Sequence, residues 1–507
     1  MPRLPPCSPK PGENEIADQI RQRRHPRDLI ALDRKLPFLT SNGPFQSLTA
    51  IGSSPHSGIL LHNPLVAVST IEISGWNSLL GAIRTHSSLP DDFREILILR
   101  VAALNSAPYE WIQHEKVGRS AGLTTPQLMR IRDIIKPLTD TLDRSHAVLS
   151  DLHLAGLAFT DSLTREIQVR DLTFDKLKNE FSRLGHEPEQ VTKMLFDAAA
   201  TVSGYNMVSR MLVGLEIGDD RDASVDLPGL ETRFEKLVMS DGTRLNVRYQ
   251  LLDSRPTLMF CNSLLTNMTM WNWILPSLAT KYNLICFDQR GHGQSGVPTT
   301  DCTLNQLADD VSAIVEQLGL QTPLHGLIGV SQGGATTLEM STRSPHLFKH
   351  YVVCDTQPSS PSGARDVWKT RIDLAEGSED GFKKLSEATI SRWFPIESHM
   401  NQPNNQTSTC IRRMIEETDL GGFESGAAAL YDYQVDEDRI PCDEHQKVLL
   451  LAGERDGSLP QVLEALSRRL NKAGKPVKFM TVPGAGHLPM VDQPLKFLNI
   501  LEPFLDN

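Results

Sequence analysis

The sequence predicts a multidomain protein, all-α in its N-terminal half and α/β in its C-terminal half. Three observations predict this. Apolar residues recur at mostly helical spacing from about residue 29 to 217. Residues 218–230, GDDRDASVDLPGL, are acidic and small, and no apolar period crosses them, so they read as a linker. Beyond them, short apolar runs ended by turn residues alternate with helical stretches, the pattern of buried parallel strands in a doubly wound sheet. A chain of 507 residues also exceeds one ordinary core at roughly 150 residues per domain.

Residues 1–28 are rich in Pro, Arg and Gln with little apolar periodicity and read as a loose arm, the short Arg21 to Arg27 stretch being a solvated tail. In the helical domain, 29–217, Ser88-Leu-Pro-Asp-Asp-Phe opens a helix, with Ser88 as cap, Pro90 in the first turn and two acids at the positive end of the dipole. Phe93, Ile96, Leu97 and Val101 continue it. A second helix follows Asn105-Ser106, carries Pro108 in its first turn and stops at Gly122; a third begins at Thr125-Pro126. Further helices are predicted near 140–160, 171–185 and 188–215.

In the α/β domain, 231–507, strands are predicted at Thr257–Cys261, Leu284–Phe287, Leu324–Val330, Tyr351–Cys354, Val448–Ala452 and Val477–Val482, with a helix over Leu304–Leu318. About 90 residues separate the Asp355 loop from the strand at Val448, too many for a simple connection. Helical patterns at 380–394 and 406–418 make this stretch, about 360–440, an inserted cap.

Gly329-Val330-Ser331-Gln332-Gly333 fits G-x-S-x-G between an apolar strand and a helix, where glycines permit the cramped turn that lifts a serine hydroxyl clear of the sheet. A hydroxyl needs a base to take its proton, so an acid and a His should follow in that order. Asp456 follows KVLLLAGER and His487 follows VKFMTV, both just past C-terminal strand ends. Asp355 is an alternative acid. Two amides are expected to meet the developing oxyanion, those of Gln332 and Leu264. His292, in the glycine-rich turn Asp288 to Ser295, reads as structural. Arg392 and Trp393 are candidate substrate contacts in the cap, Arg meeting a carboxylate, with a solvated Arg beside a packed Trp as the alternative.

On these motifs, residues from about 231 to 505 resemble the α/β-hydrolase superfamily, in particular the 3-oxoadipate enol-lactone hydrolases. Asn262-Ser263-Leu264, Val330 before the nucleophile and Ser391-Arg-Trp-Phe394 in the cap point to that branch.

In the helical half, Glu110 and His114 share one face of a helix, and Glu95 lies on the helix before. Residues 29–217 resemble the carboxymuconolactone decarboxylase and alkylhydroperoxidase D-like family. The resemblance rests on Gly43-Pro-Phe45, Leu61-His-Asn-Pro64, Arg94-Glu-Ile-Leu-Ile-Leu-Arg100, Tyr109-Glu-Trp-Ile-Gln-His114 and Gly204-Tyr-Asn-Met-Val-Ser-Arg210. Ala107 and Glu110 stand where the peroxidase branch has its two Cys, which leaves the decarboxylase-like branch. The resemblance implies His114 as acid, oriented by Glu110, with Glu95 behind them as a supporting or proton-relay group, and no metal or cofactor. The extra residues Ser47 to Gly58 depart from the short decarboxylases.

The two resemblances name consecutive steps, so the expectation is a bifunctional enzyme of aromatic-acid breakdown. It would decarboxylate 4-carboxymuconolactone, then open the enol-lactone to 3-oxoadipate; fusion raises the local concentration of the intermediate. The alternatives are a serine hydrolase for another lactone or ester, and a helical half that only oligomerises. Expected partners are small-molecule lactones and further copies of this chain through the helical domain. Against nucleic acid stand 62 Asp+Glu to 51 Lys+Arg, a net charge of −11 and no dense basic tract. No apolar run approaches the roughly 18 residues of a membrane span, and MPRLPPCSPKPGENE lacks the apolar core of a secretory signal. Seven scattered cysteines without C-x-x-C suggest reduced thiols and no zinc site, hence a cytoplasmic protein.

Overall fold

The computed structural model describes residues 70–138, 148–215, 227–229, 231–252, 254–402, 405–441 and 445–506. The predicted arm, the segments Gly43–Phe45, Ser47–Gly58 and Leu61–Pro64, and most of the predicted linker lie outside the described residues. The chain divides into two compact units between Pro228 and Gly229.

The described part of the first unit is helical throughout: α1 (Thr70–Thr85), α2 (Asp91–Leu104), α3 (Pro108–Ser120), α4 (Thr125–Arg132), α5 (Asp151–Arg165), α6 (Asp171–Arg183) and α7 (Pro188–Gly214). Every residue of α2 from Phe93 to Ala103 is buried, the charged Arg94, Glu95 and Arg100 included, so this helix is enclosed on all sides and forms the axis of the unit. One side, Phe93, Leu97, Ile98 and Val101, packs with Phe181, Ala198 and Tyr205; the other, Ile96, Leu99 and Ala102, with Trp111, Leu128 and Leu157. The buried Arg100 on this helix is neutralised by a forked pair with Asp161, at 2.6 and 2.8 Å, and by the carbonyls of Ile131 and Asp133.

Ser88 is not the cap predicted for α2. That helix begins one residue past Pro90 without a side-chain cap, and Ser88 instead donates its amide and hydroxyl to Asp197 on α7, both at 2.6 Å. Capping would ask the Ser88 oxygen to accept a helix N–H, whereas the Asp197 carboxylate offers its amide and hydroxyl two charge-assisted bonds that hold the residue away from that position.

The second unit holds an eight-stranded sheet in the order β1-β2-β4-β3-β5-β6-β7-β8. The strands are β1 (Arg233–Val238), β2 (Arg244–Gln250), β3 (Thr257–Cys261), β4 (Asn283–Phe287), β5 (Leu324–Val330), β6 (Phe348–Cys354), β7 (Lys447–Gly453) and β8 (Lys478–Val482). From β4 to β8 all neighbours are parallel; β1 and β2 add an antiparallel edge. The sequence reading missed β1 and β2. β1 buries one residue of its six, so it lacks the apolar run that marks a central strand.

Helices α8 (Leu304–Gln317), α9 (Gln332–Arg343), α14 (Leu459–Lys472) and α15 (Pro494–Leu505) accompany the sheet. Between β6 and β7 the described residues of the insertion form four α-helices, α10 (Ala364–Glu376), α11 (Gly381–Trp393), α12 (Gln406–Glu416) and α13 (Leu420–Ala428), of which α11 and α12 match the helical patterns in the sequence. The cap touches the core at backbone distance: a Cβ on Gly291, which follows β4 at φ +71°, would overlap Gly422 of α13, and a Cβ on Gly422 would overlap the Gly291 carbonyl. Among the described residues no helix is long and apolar enough to cross a membrane.

Candidate functional sites

Ser331 stands between β5 and the first residue of α9 with φ +57° and ψ −118°, a strained conformation for a residue with a side chain. The flanking glycines are there for space. A Cβ on Gly329 would overlap the Gly333 carbonyl, and one on Gly333 would overlap the Cys261 carbonyl of β3. The turn is pinned from both neighbouring strands: Ser331 N–H donates to Cys354 O at 2.9 Å and Gly333 N–H to Asn262 O at 3.0 Å.

Asp456 and His487 leave the same edge of the sheet, after β7 and β8. Nδ1 of His487 lies 2.7 Å from Asp456 Oδ2. Burial pushes the Asp456 carboxyl up, but the charge and hydrogen bond of His487, a hydrogen bond from Asp355 and the charge of Arg392 together hold it below the usual carboxylate range. Asp355 behaves in the opposite way. It is fully buried at φ +46°, its Oδ1 accepts the Gly453 amide at 2.7 Å, and burial followed by the Asp456 charge pushes its carboxyl well above the usual carboxylate range. Its Oδ2 has no donor facing it. Of the two carboxyls, Asp355 is thus the one whose surroundings favour the neutral form, and the His487 ring is held by Asp456.

Leu264 and Gln332 converge. A Cβ on Gly426 of α13 would meet Leu264 Cδ1 at 2.7 Å, His292 Cε1 at 3.3 Å and Gln332 Oε1 at 3.9 Å. The Gln332 side chain bridges core and cap, donating to Gly426 O at 2.5 Å and accepting from Gln289 Nε2 at 3.0 Å. Neither the Leu264 nor the Gln332 amide donates to another described residue.

At the end of α11, Trp393 is buried and stacks on the His487 ring with centroids 5.6 Å apart. Its neighbour Arg392 reaches solvent, yet crowding by protein, then repulsion from Arg371, lowers its guanidinium pKa to about 10 against an opposing pull from Asp456. Arg371, half-buried on α10, lies over the Trp368 ring at 4.5 Å. Neither arginine has an ion-pair partner among the described residues. Arg371 was missed from sequence because it belongs to a helix that reads as an ordinary solvated face.

In the helical unit the structure brings Glu95, Glu110 and His114 together but redistributes their expected contacts. His114 Nδ1 bonds Glu95 Oε2 at 2.7 Å, both groups buried, so Glu95 and not Glu110 orients the ring. Glu110 Oε2 instead accepts the Ser209 hydroxyl of α7 at 2.8 Å, and its Oε1 is buried without a partner. The reason is geometric: α2 and α3 pack face to face, so the ring turns across the helix pair rather than along its own helix. Burial raises the Glu110 carboxyl well above its ordinary value against the Ser209 bond and the Arg84 charge. Burial lowers His114 despite Glu95. Tyr205 closes the cluster, edge-on to His114 at 4.9 Å, and accepts from Arg84 Nε at 2.7 Å; Arg84 Nη2 is buried and unpartnered. Sequence reasoning passed over Arg84. No group of three or more metal-ligating side chains occurs among the described residues.

A model of the α/β hydrolase fold matches residues 256–494, and one of the carboxymuconolactone decarboxylase family matches 74–142. The chain is 34% identical over 140 residues to 3-oxoadipate enol-lactonase 2 of Acinetobacter baylyi, a match covering 28% of this chain and half of that protein. To 3-oxoadipate enol-lactonase 1 of the same organism it is 26% identical over 268 residues, 52% of this chain and 94% of the relative. The crystal structure of the enol-lactonase from Burkholderia xenovorans LB400 aligns with a TM-score of 0.48 at 23% identity, covering 54% of this chain and all of that one.

Proposed function

We propose that this chain, a carboxymuconolactone decarboxylase-like domain fused to a C-terminal α/β-hydrolase resembling enol-lactone hydrolases, performs two successive reactions on a small anionic lactone. The first is decarboxylation of 4-carboxymuconolactone; the second is hydrolysis of the resulting enol-lactone to 3-oxoadipate. The observation that carries the reading is the His487–Asp456 bond, on the sheet edge where Ser331 stands at its strained turn.

In the hydrolase half Ser331 Oγ attacks the lactone carbonyl while His487 Nε2 takes its proton, the Nδ1 proton remaining on the Asp456 bond. The Leu264 and Gln332 amides meet the oxyanion. Collapse breaks the ring C–O bond and expels an enol, which receives the proton from His487. Water, activated by the same histidine, then frees the acyl group from Ser331. Arg371 and Arg392, two cations without an ion-pair partner among the described residues, suit a substrate carboxylate that remains outside the reacting bond.

In the helical half, loss of carbon dioxide sends two electrons through the ring double bond to the lactone carbonyl, and the product carbon must gain one proton. Glu110, held neutral by burial, is suited to give that proton; this replaces His114 in the role of acid. His114, tied to Glu95, would stand beside the substrate as a fixed hydrogen-bonding ring. Arg84, with a bare Nη2, is suited to the departing carboxylate.

Incubating the protein separately with each lactone, and following carbon dioxide and ring opening independently, tests the reading. Turnover of both supports it. Hydrolysis of unrelated esters with neither lactone consumed overturns it.

A further inference from the structure

His292 follows β4 in the glycine-rich turn, and its bonds define a state of the ring by geometry alone. Nδ1 lies 2.9 Å from the Arg290 carbonyl oxygen, which can only accept, so Nδ1 carries the proton. Nε2 lies 3.1 Å from the Leu265 amide, which can only donate, so Nε2 is bare. Both contacts require a single neutral tautomer. Burial supports it, lowering the imidazole to about 4.

The acceptor Nε2 meets the backbone at a strained place. Leu265 stands at φ +67°, a left-handed conformation that a leucine adopts only when its surroundings impose it. The peptide before it is held from the other side. The Ser263 carbonyl accepts from the Thr266 hydroxyl at 2.7 Å and from the Thr266 amide at 3.2 Å. In a trans peptide the carbonyl and N–H point in opposite directions. Fixing Ser263 O therefore aims the Leu264 N–H, and fixing the Leu265 N–H locks the next peptide behind it. Gly426 of the cap lies against both Leu264 and the His292 ring, where an added methyl group would press on Leu264 Cδ1 at 2.7 Å and His292 Cε1 at 3.3 Å.

We propose that His292 is a positioning residue of the oxyanion loop: by accepting the Leu265 amide it keeps the Leu264 N–H directed at the charge that forms on the substrate oxygen. The inference rests on the serine-hydrolase reading above. It concerns transition-state alignment, since a carbonyl in the ground state makes less use of an oriented donor than an oxyanion does.

The test compares His292→Phe, which keeps a ring without nitrogen, with His292→Gln, whose side-chain oxygen can replace Nε2. The substrate is 4-nitrophenyl acetate, and phenylboronic acid serves as the tetrahedral analogue. Wild-type turnover abolished by Ser331→Ala establishes the underlying reading; absence of turnover in the wild type sinks that reading and, with it, the inference. Given turnover, His292→Phe should lower kcat on the order of 10- to 100-fold, short of the ~10²–10³ for removing a donor outright. It should change KM less than about threefold and weaken the boronate by a similar factor to kcat. His292→Gln should recover most of both losses. Unchanged kcat and boronate affinity in folded His292→Phe, or a loss confined to KM, overturns the proposal, as does a folded His292→Gln no better than His292→Phe.

Discussion

Trp393 is joined to His487 twice: its indole stacks on the imidazole with planes 26° from parallel, and its carbonyl oxygen accepts the His487 amide at 2.7 Å. The last residue of a cap helix thereby fixes both the ring and the backbone of the proposed general base. Trp393→Ala should remove the stacking surface and lower kcat for ester hydrolysis about tenfold, the scale of an aromatic pair worth roughly 1.5 kcal/mol. Trp393→Phe should stay within about threefold of wild type. Steady-state rates decide, and an alanine variant as fast as wild type refutes the role.

The carboxyl pair behind the histidine is asymmetric, and substitution should reveal which member carries the charge. Asp456→Asn should cost about 10⁴ in kcat through loss of the charge and tautomer. Asp355→Asn should cost only a few-fold, because the amide keeps a neutral donor toward Asp456, whereas Asp355→Leu removes it and should cost more. Equal losses in the two Asn variants would show both carboxyls to be ionised.

Arg371→Met and Arg392→Met should each raise KM for a carboxylate-bearing ester on the order of tenfold, the value of one charge-assisted hydrogen bond, while leaving KM for a neutral ester of similar size unchanged. Parallel increases for both esters would mean lost packing instead of lost charge recognition.

Decarboxylation should depend on Glu110 in its protonated form. Its folded-state pKa is raised by burial, so the competent form persists to higher pH than for an ordinary glutamate and is lost as pH climbs through the raised value. The rate of carbon dioxide release should therefore fall on the alkaline side. Glu110→Gln should fold normally, preserve the Ser209 contact and lose about 10²- to 10⁴-fold in rate. A glutamine variant with wild-type decarboxylation removes Glu110 from the reaction.

At the other end of the sheet, His350 is buried between the His325 ring and Phe504, and burial lowers its pKa to about 4. The unfolded chain binds a proton near the ordinary value of about 6.5, before the folded chain does. Its contribution to stability is thus complete above that value and is lost as pH falls from about 6.5 through 4. Denaturant unfolding between pH 5 and 6 should show a slope on pH that His350→Phe reduces by about 1.4 kcal/mol per unit.

The parts legible in sequence were those carried by local pattern. The six predicted strands are all present with ends shifted by up to three residues, because buried runs such as Leu324–Val330 advertise themselves in composition. The turn at Ser331 was legible because glycine is forced there by backbone contact. What sequence concealed depends on residues far apart in the chain. The Ser88–Asp197 and Glu110–Ser209 bonds span 109 and 99 positions, and both displaced a plausible local partner. Helix spacing correctly put Glu110 and His114 on one face, yet a neighbouring helix offered the ring a closer carboxylate. Arg84 and Arg371 carry no motif at all; only three-dimensional placement without an ion-pair partner among the described residues distinguishes them from surface arginines.

The contact between Gly291 and Gly422 bears on how this molecule can change over generations. Neither position admits even a methyl group while the other keeps its place, and the two belong to separate segments of chain, one in the core and one in the cap. A lineage that altered the cap to receive a different molecule would be free to vary α10 to α12, but at this junction any replacement must come with a matching displacement across the gap. Divergence in the insertion should consequently be anchored here, with new specificities arising around a fixed point.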